Sequence, residues 1–354
     1  MVRPPLEFHK LAEDWVCVRV TDVQALDLNR YRFDFDLTLA VLLAHPDGTV
    51  YHRLGGRTKA DPSAWMSMPA LLRVMRATLV EHRTHRPVVR PKPKPRQTVY
   101  DIESFARRMA KKPQRPACIH CHTVHEAQVR DRQARGTFDP DQVWIWPGPE
   151  RLGLQMEPVA QNRVAAIAKD SVAERAGLRV GDELVQAGDQ PVQTVMDLSW
   201  VLDRMPASGG TLALTLRRGG EARRVALPLA DGFKRGDLLA WSWRPYKWAL
   251  RPAPGMGGPL LDAAAKRALG IPARSWAFRV RYIVDWGDYP EQGRENRRRG
   301  LRQGDVVVRY AGRNDFADMA HFHAFVRLKL RRGQKVEVEL LRNGAPHTLQ
   351  VTLE

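Results

Sequence analysis

The fold of this chain is read first from Ser171-Val172-Ala173-Glu174-Arg175-Ala176-Gly177-Leu178-Arg179-Val180-Gly181-Asp182-Glu183-Leu184-Val185. Ala176-Gly177-Leu178 ends a helix at a glycine free to take positive φ. Gly181-Asp182 then starts a strand tightly. Strand-forming residues precede this stretch at Leu154 and at Val164-Ala165-Ala166-Ile167. Gln190-Pro191-Val192, a helix from Val195 to Met205 and a strand from Thr211 to Arg217 follow it. The phrase then returns: Arg299-Gly300-Leu301-Arg302-Gln303-Gly304-Asp305-Val306-Val307-Val308 repeats Ala176 to Val185. A helix from Met319 to Leu330 and strands from Val336 to Leu341 and His347 to Leu353 come after it in the same order. That is an internal repeat.

This order resembles the bacterial PDZ domains attached to high-temperature-requirement proteases. The resemblance covers residues 148–232 and, in degenerate form, 263–354. It implies two small β-barrel or sandwich domains. It also implies a ligand: a partner's C-terminus adds as a strand beside the one starting at Leu154. Its carboxylate is held by backbone N–H groups of Arg151, Leu152, Gly153 and Leu154, with Gly153 allowing close approach. Leu154, Met156, Leu198, Val201 and Leu202 are expected to line the apolar pocket, a role that competes with plain core packing. In the second copy the corresponding loop is expected at Ser275-Trp276-Ala277-Phe278. Ala277 stands there for Gly153, so this copy is expected to bind weakly or only to pack. Residues 233–262 form a connector with Trp241, Trp243 and Trp248, expected to pack on the adjacent domains.

A second motif is Cys118-Ile119-His120-Cys121-His122. C-x-x-C-H is the spacing at which a c-type haem is attached, with two thioether bonds and the histidine on the iron. A zinc site, a redox dithiol and no site at all stay open beside it. Haem would need a second axial ligand; His125 is the first candidate, with Met109 and Met156 behind it. The motif lies in a helical segment, residues 117–147, after a Pro- and Arg-rich linker, 85–116, that holds one short helix.

Residues 1–84 read as helix, strand, helix, strand, hairpin, strand, helix. The strands are expected at Trp15 to Thr21, Leu37 to Leu43 and Thr49 to Leu54, with a turn at His45-Pro46-Asp47-Gly48 and a helix from Pro69 to His82. This resembles the later part of a thioredoxin-like α/β domain, without its redox motif. Cys17 is expected mid-strand as a buried, inert thiol. The whole layout is similar to a bacterial family of thioredoxin-like, PDZ domain-containing (seleno)proteins. The fold class expected is therefore multidomain α+β. The resemblance implies an exported redox protein, yet no secretory signal opens the sequence. A longer gene product is the expectation that reconciles the two, with a periplasmic or envelope location.

Composition limits the function. The chain has 354 residues, a formal net charge of +18 and three cysteines. Arginine is spread along it rather than gathered on a basic helix stripe, which argues against nucleic acid as partner. No apolar run is long enough to span a bilayer. No Gly-x-Ser-x-Gly, trypsin-like block or His-Glu-x-x-His occurs, so the chain is not expected to be a protease. Three functions remain: an envelope adaptor with a redox link, a plain peptide-binding scaffold, and a thiol-disulfide enzyme using Cys118 and Cys121.

Overall fold

A computed structural model describes residues 4–20, 24–34, 36–37, 39–58, 61, 63–84, 95–110, 121–287 and 290–354. The chain divides into two compact units, one of residues 1–131 and 137–236, the other of 132–136 and 237–354.

The first unit begins with α1 (Leu6–Ala12), an antiparallel hairpin β1 (Ala40–Ala44) and β2 (Val50–Gly55), and α2 (Met68–Thr84). Leu43 and Leu54 pack against Ala70, Leu71, Val74 and Met75 of α2, with Phe8, Leu11 and Trp15 closing the cluster. The strand expected from Trp15 is not formed among the described residues: residues 16–20 take no strand conformation, and Val16, Val18 and Val20 are exposed. Cys17 is accordingly exposed, not buried. Alternating β-branched residues favour a strand only where a neighbouring strand takes up their backbone groups.

Two helices follow, α3 (Glu103–Ala110) and α4 (His122–Ala134). Phe105 of α3 and Val124 and Ala127 of α4 meet Leu28, Phe33, Val99 and Ile102 in one cluster. Asp131 fixes the pair: its carboxylate accepts the Glu103 N–H at 3.0 Å and the Ser104 N–H at 2.8 Å. These are free N–H groups at the start of α3, which a carboxylate satisfies well.

The rest of this unit has β3 (Leu154–Met156) paired with β4 (Val164–Ile167), the short α5 (Val172–Arg175), and a four-stranded antiparallel sheet. That sheet holds β5 (Glu183–Ala187), β6 (Gln190–Pro191), β7 (Gly210–Arg218) and β8 (Glu221–Leu229) in the order β6-β5-β7-β8. Helix α6 (Val195–Arg204) lies between β6 and β7 in the chain. Leu198 and Leu202 of α6 pack with Leu184, Leu212, Leu214, Leu216 and Leu227. Two- and four-stranded sheets replace the barrel expected from the sequence; no barrel closes among the described residues.

The outer edge of β2 is covered by the start of α6. The Arg53 N–H donates to Asp197 Oδ1 at 2.9 Å, and Thr194 Oγ1 donates to the Arg53 carbonyl. Gln190 Nε2 donates to the Tyr51 carbonyl at 2.8 Å. An edge strand otherwise offers these groups to any other chain. His52, next to Arg53 on β2, is wholly buried. It bonds Asp197 through Nδ1 at 2.8 Å and Glu81 of α2 through Nε2 at 2.9 Å. Burial alone would lower its pKa, but the hydrogen bond and charge of Asp197, then those of Glu81, raise it to about 9.

The second unit contains α7 (Leu238–Trp241), β9 (Met256–Gly257), α8 (Ala263–Ala268), β10 (Phe278–Arg279), β11 (Tyr282–Ile283) and α9 (Glu291–Arg298). It continues with β12 (Val306–Tyr310), α10 (Met319–Lys329), β13 (Lys335–Arg342) and β14 (Ala345–Thr352). Strands β10-β12-β13-β14 form one sheet and β9-β11 another. The core is aromatic: Trp276, Phe278, Phe316 and Phe322 lie ring against ring.

The two units share a local pattern. Arg218 grips Asp182 with two hydrogen bonds of 2.7 Å and the Gly177 carbonyl at 2.8 Å. Arg342 grips Asp305 with two of 2.8 Å and the Gly300 carbonyl at 2.7 Å. Both aspartates are buried, and each accepts a backbone N–H, from Arg179 and Arg302 respectively. A bidentate arginine is the geometry that makes burial of a carboxylate tolerable.

Candidate functional site

The site expected from the sequence lies where the chain enters β3. A 3-10 turn over Pro149–Leu152 ends at Gly153, which takes the left-handed conformation with φ 82°. A Cβ there would also stand 2.1 Å from the Ser171 Cβ, so both backbone and space demand glycine. The turn uses two of its own N–H groups: Arg151 donates to the Gly148 carbonyl and Gly153 to the Glu150 carbonyl, each at 3.1 Å.

The direction of the β3 edge follows from its ladder. Ala168 N–H donates to the Gly153 carbonyl at 2.8 Å, and Glu157 N–H donates to the Arg163 carbonyl at 3.0 Å. In an antiparallel pair the bonding residues alternate. Gly153, Gln155 and Glu157 therefore face β4, while Leu154 and Met156 turn their N–H and C=O groups to the opposite edge. Arg151, half-buried at the head of this edge, has the exposed Glu150 carboxylate at 3.9 Å.

The five residues expected to line the pocket are brought together. Leu154, Met156, Leu198, Val201 and Leu202 belong to one buried cluster. Val201 is the most accessible of them at 8%. They pack against each other and against the sheet, so the strip between β3 and α6 is lined by core residues.

In the second unit the equivalent turn is not at Ser275–Phe278. Trp276 and Ala277 are buried, and Phe278 pairs with Val307 of β12. The bond that marks Gly153 recurs at Gly255, whose carbonyl accepts the Val284 N–H at 2.8 Å. Gly255 has φ 63°, and a Cβ there would stand 2.6 Å from the Gln292 side chain. Met256 pairs with Ile283 as Leu154 pairs with Ile167. Residues 258–277, including α8, intervene between β9 and β10 and displaced the expected spacing.

The C-x-x-C-H motif is described from Cys121 onward; Cys118 lies outside the described residues. Cys121 is half-buried beside the cluster of Phe105 and Val124, as is Met109, and burial raises its thiol pKa. His122 is the first residue of α4, with Nε2 3.9 Å from Glu126 Oε1. His125 is buried, with Nε2 3.7 Å from Asp34 Oδ1. His122 and His125 thus sit three residues apart on one helix, as neighbours on one side. They cannot approach an iron from opposite faces, so His125 does not fit as the second haem ligand. Met156, in the core around β3, does not fit either. Among the described residues no three of His, Cys, Asp and Glu converge as a metal requires. His52, Asp197 and Glu81 had no signal in the sequence beyond a histidine in an alternating strand.

A PDZ-domain family model matches residues 163–218. The probable periplasmic serine endoprotease DegP-like of Halomonas elongata is 32% identical over 93 residues. That alignment covers 23% of this chain and 19% of the relative, so the chain spans about a fifth of that protein's length. Among solved structures, the HtrA3 PDZ domain bound to a phage-derived ligand (FGRWV) is 22% identical, with a TM-score of 0.19. It covers 22% of this chain and 81% of that one. The serine endoprotease from Yersinia pestis is also 22% identical, covering 23% and 28%, with a TM-score of 0.20. The chain is a mixed α/β protein that holds a PDZ domain, similar over 93 residues to part of a DegP-like endoprotease. No helix among the described residues is long and apolar enough to cross a membrane.

Proposed function

We propose that this chain is a non-proteolytic adaptor of the bacterial envelope that binds the C-termini of partner proteins along β3. The observation that carries this reading is the outward edge of Leu154 and Met156 beside the left-handed Gly153 turn. An extended peptide adds there as a strand, its carboxylate meeting the Leu154 N–H and the Arg151 charge. The last side chain enters between β3 and α6, at Val201, by parting core residues. We read the second unit as a further PDZ-like copy with its own edge at Met256. The likeness to a periplasmic DegP-like protein supports an envelope location. Cys118, Cys121 and His122 carry no catalytic step in this adaptor.

Selection of random C-terminal peptides on the full chain tests this. Sequences with an apolar last residue and a free carboxylate are expected to be enriched. Enrichment of internal sequences, indifferent to the C-terminus, rejects the reading.

A further inference from the structure

Trp200, half-buried on α6, is surrounded by three guanidinium groups. Arg53 of β2 lies 4.0 Å from the ring centroid, Arg204 4.9 Å and Arg32 5.7 Å. Trp146 stacks on the same indole at 5.6 Å. One cation on an aromatic face is a favourable contact. Three at one ring repel each other unless something negative is shared among them.

Among the described residues no carboxylate is bonded to any of the three guanidinium groups, and Asp197 reaches Arg53 only through its charge. Arg32 and Arg204 are exposed, and among the described residues neither guanidinium makes an ion pair or a hydrogen bond. Arg53 is buried; its Nε donates to the Arg32 carbonyl at 3.2 Å, while Nη1 has no hydrogen-bond partner. Asp197 acts on Arg53 by its charge, but its oxygens are already taken by His52 and by the N–H groups of Arg53, Gln193 and Thr194. Burial, opposed by Asp197, together with the charges of Arg204 and Arg32, lowers the Arg53 pKa to about 10. A buried guanidinium nitrogen left without an acceptor is costly, and an anion bound there removes that cost.

We propose that Arg32, Arg53 and Arg204, gathered around Trp200, bind a phosphate-type oxyanion. Planar, forked guanidinium groups match phosphate oxygens, and three of them suit a ligand with more than one charge. Such a group reaches the site either as a soluble phosphate compound or as a lipid headgroup.

The test is titration calorimetry of the full chain with inorganic pyrophosphate at physiological salt. Saturable binding is expected. The double variant Arg32→Ala/Arg204→Ala, made at two exposed positions, is expected to weaken it by roughly tenfold or more, the effect of losing charge-assisted hydrogen bonds. Its melting temperature without ligand should match the parent. No saturable binding, or equal affinity in the double variant, overturns the proposal. Sedimentation with phosphatidylglycerol and phosphatidylcholine vesicles identifies the source. Capture by the anionic vesicles alone, lost in the double variant and displaced by pyrophosphate, supports a headgroup. Pyrophosphate binding without vesicle capture supports a soluble ligand. Vesicle capture that the double variant keeps belongs to the general positive charge and overturns the headgroup assignment.

Discussion

His52 and Asp197 share a 2.8 Å hydrogen bond between two wholly buried side chains, and that bond fastens β2 to the start of α6. Both ring nitrogens of His52 face carboxylates, Asp197 on one side and Glu81 on the other, so the ring donates from both and is held as the cation. Its role is to lock the segment before the PDZ domain onto the PDZ helix.

The consequence is a stability that depends on pH. A histidine whose pKa rises on folding contributes fully below its unfolded value. The contribution disappears as pH climbs through the folded value, about 9 here. Melting curves of the parent should fall between about pH 6.5 and pH 9 by an amount that His52→Gln lacks. At neutral pH, His52→Ala should cost about 3 kcal/mol or more, because it leaves a buried carboxylate without its cation. Parallel pH profiles in parent and variant would show that the ring is not charged.

Asp182 and Asp305 make the same prediction in two places. Arg218→Ala leaves Asp182 buried beside one remaining backbone donor, and Arg342→Ala does so to Asp305. Each should cost about 2–4 kcal/mol. Calorimetry should show each variant lowering the transition of its own unit and sparing the other. The pairing also lowers the Asp182 pKa against the opposing effect of burial, so this contribution is present above the ordinary aspartate range and is lost as pH falls through the folded value.

Gly153 should not tolerate a side chain. Gly153→Ala meets both a positive φ and the Ser171 side chain, and should destabilise the first unit by about 1–3 kcal/mol. It should also abolish peptide binding, since the turn sets the start of the β3 edge. Gly255→Ala, the matching change in the second unit, should destabilise by a similar amount and leave binding at β3 intact. Urea melts and anisotropy on both variants check this.

Thiol reactivity should separate Cys17 from Cys121. Cys17 is exposed, whereas Cys121 is half-buried and its pKa is raised by burial. Iodoacetamide labelling followed by mass spectrometry should find Cys17 modified first in the native chain. Faster labelling of Cys121 would contradict the packing of α3 on α4.

The PDZ domain was legible because its turns have chemical requirements: Gly153 and Gly177 need positive φ, and Asp182 starts a strand at a tight bend. Its repeat was legible for the same reason at Gly300 and Asp305. The second unit's turn at Gly255 was missed because residues 258–277 separate it from the strands it serves. The Trp15 strand failed because alternation predicts a strand without supplying its neighbour. The cover that α6 places on β2 left no local trace, since Thr194 and Asp197 read as an ordinary helix start while also serving a distant edge.

The most direct test of peptide binding along β3 compares one labelled peptide in two forms on the full chain, with a free C-terminal carboxylate and with a C-terminal amide. Fluorescence anisotropy should show saturable binding of the free acid, a loss of roughly tenfold or more on amidation, and competition only by unlabelled free acid. Equal affinity for the two forms would contradict capture of C-termini beside Gly153.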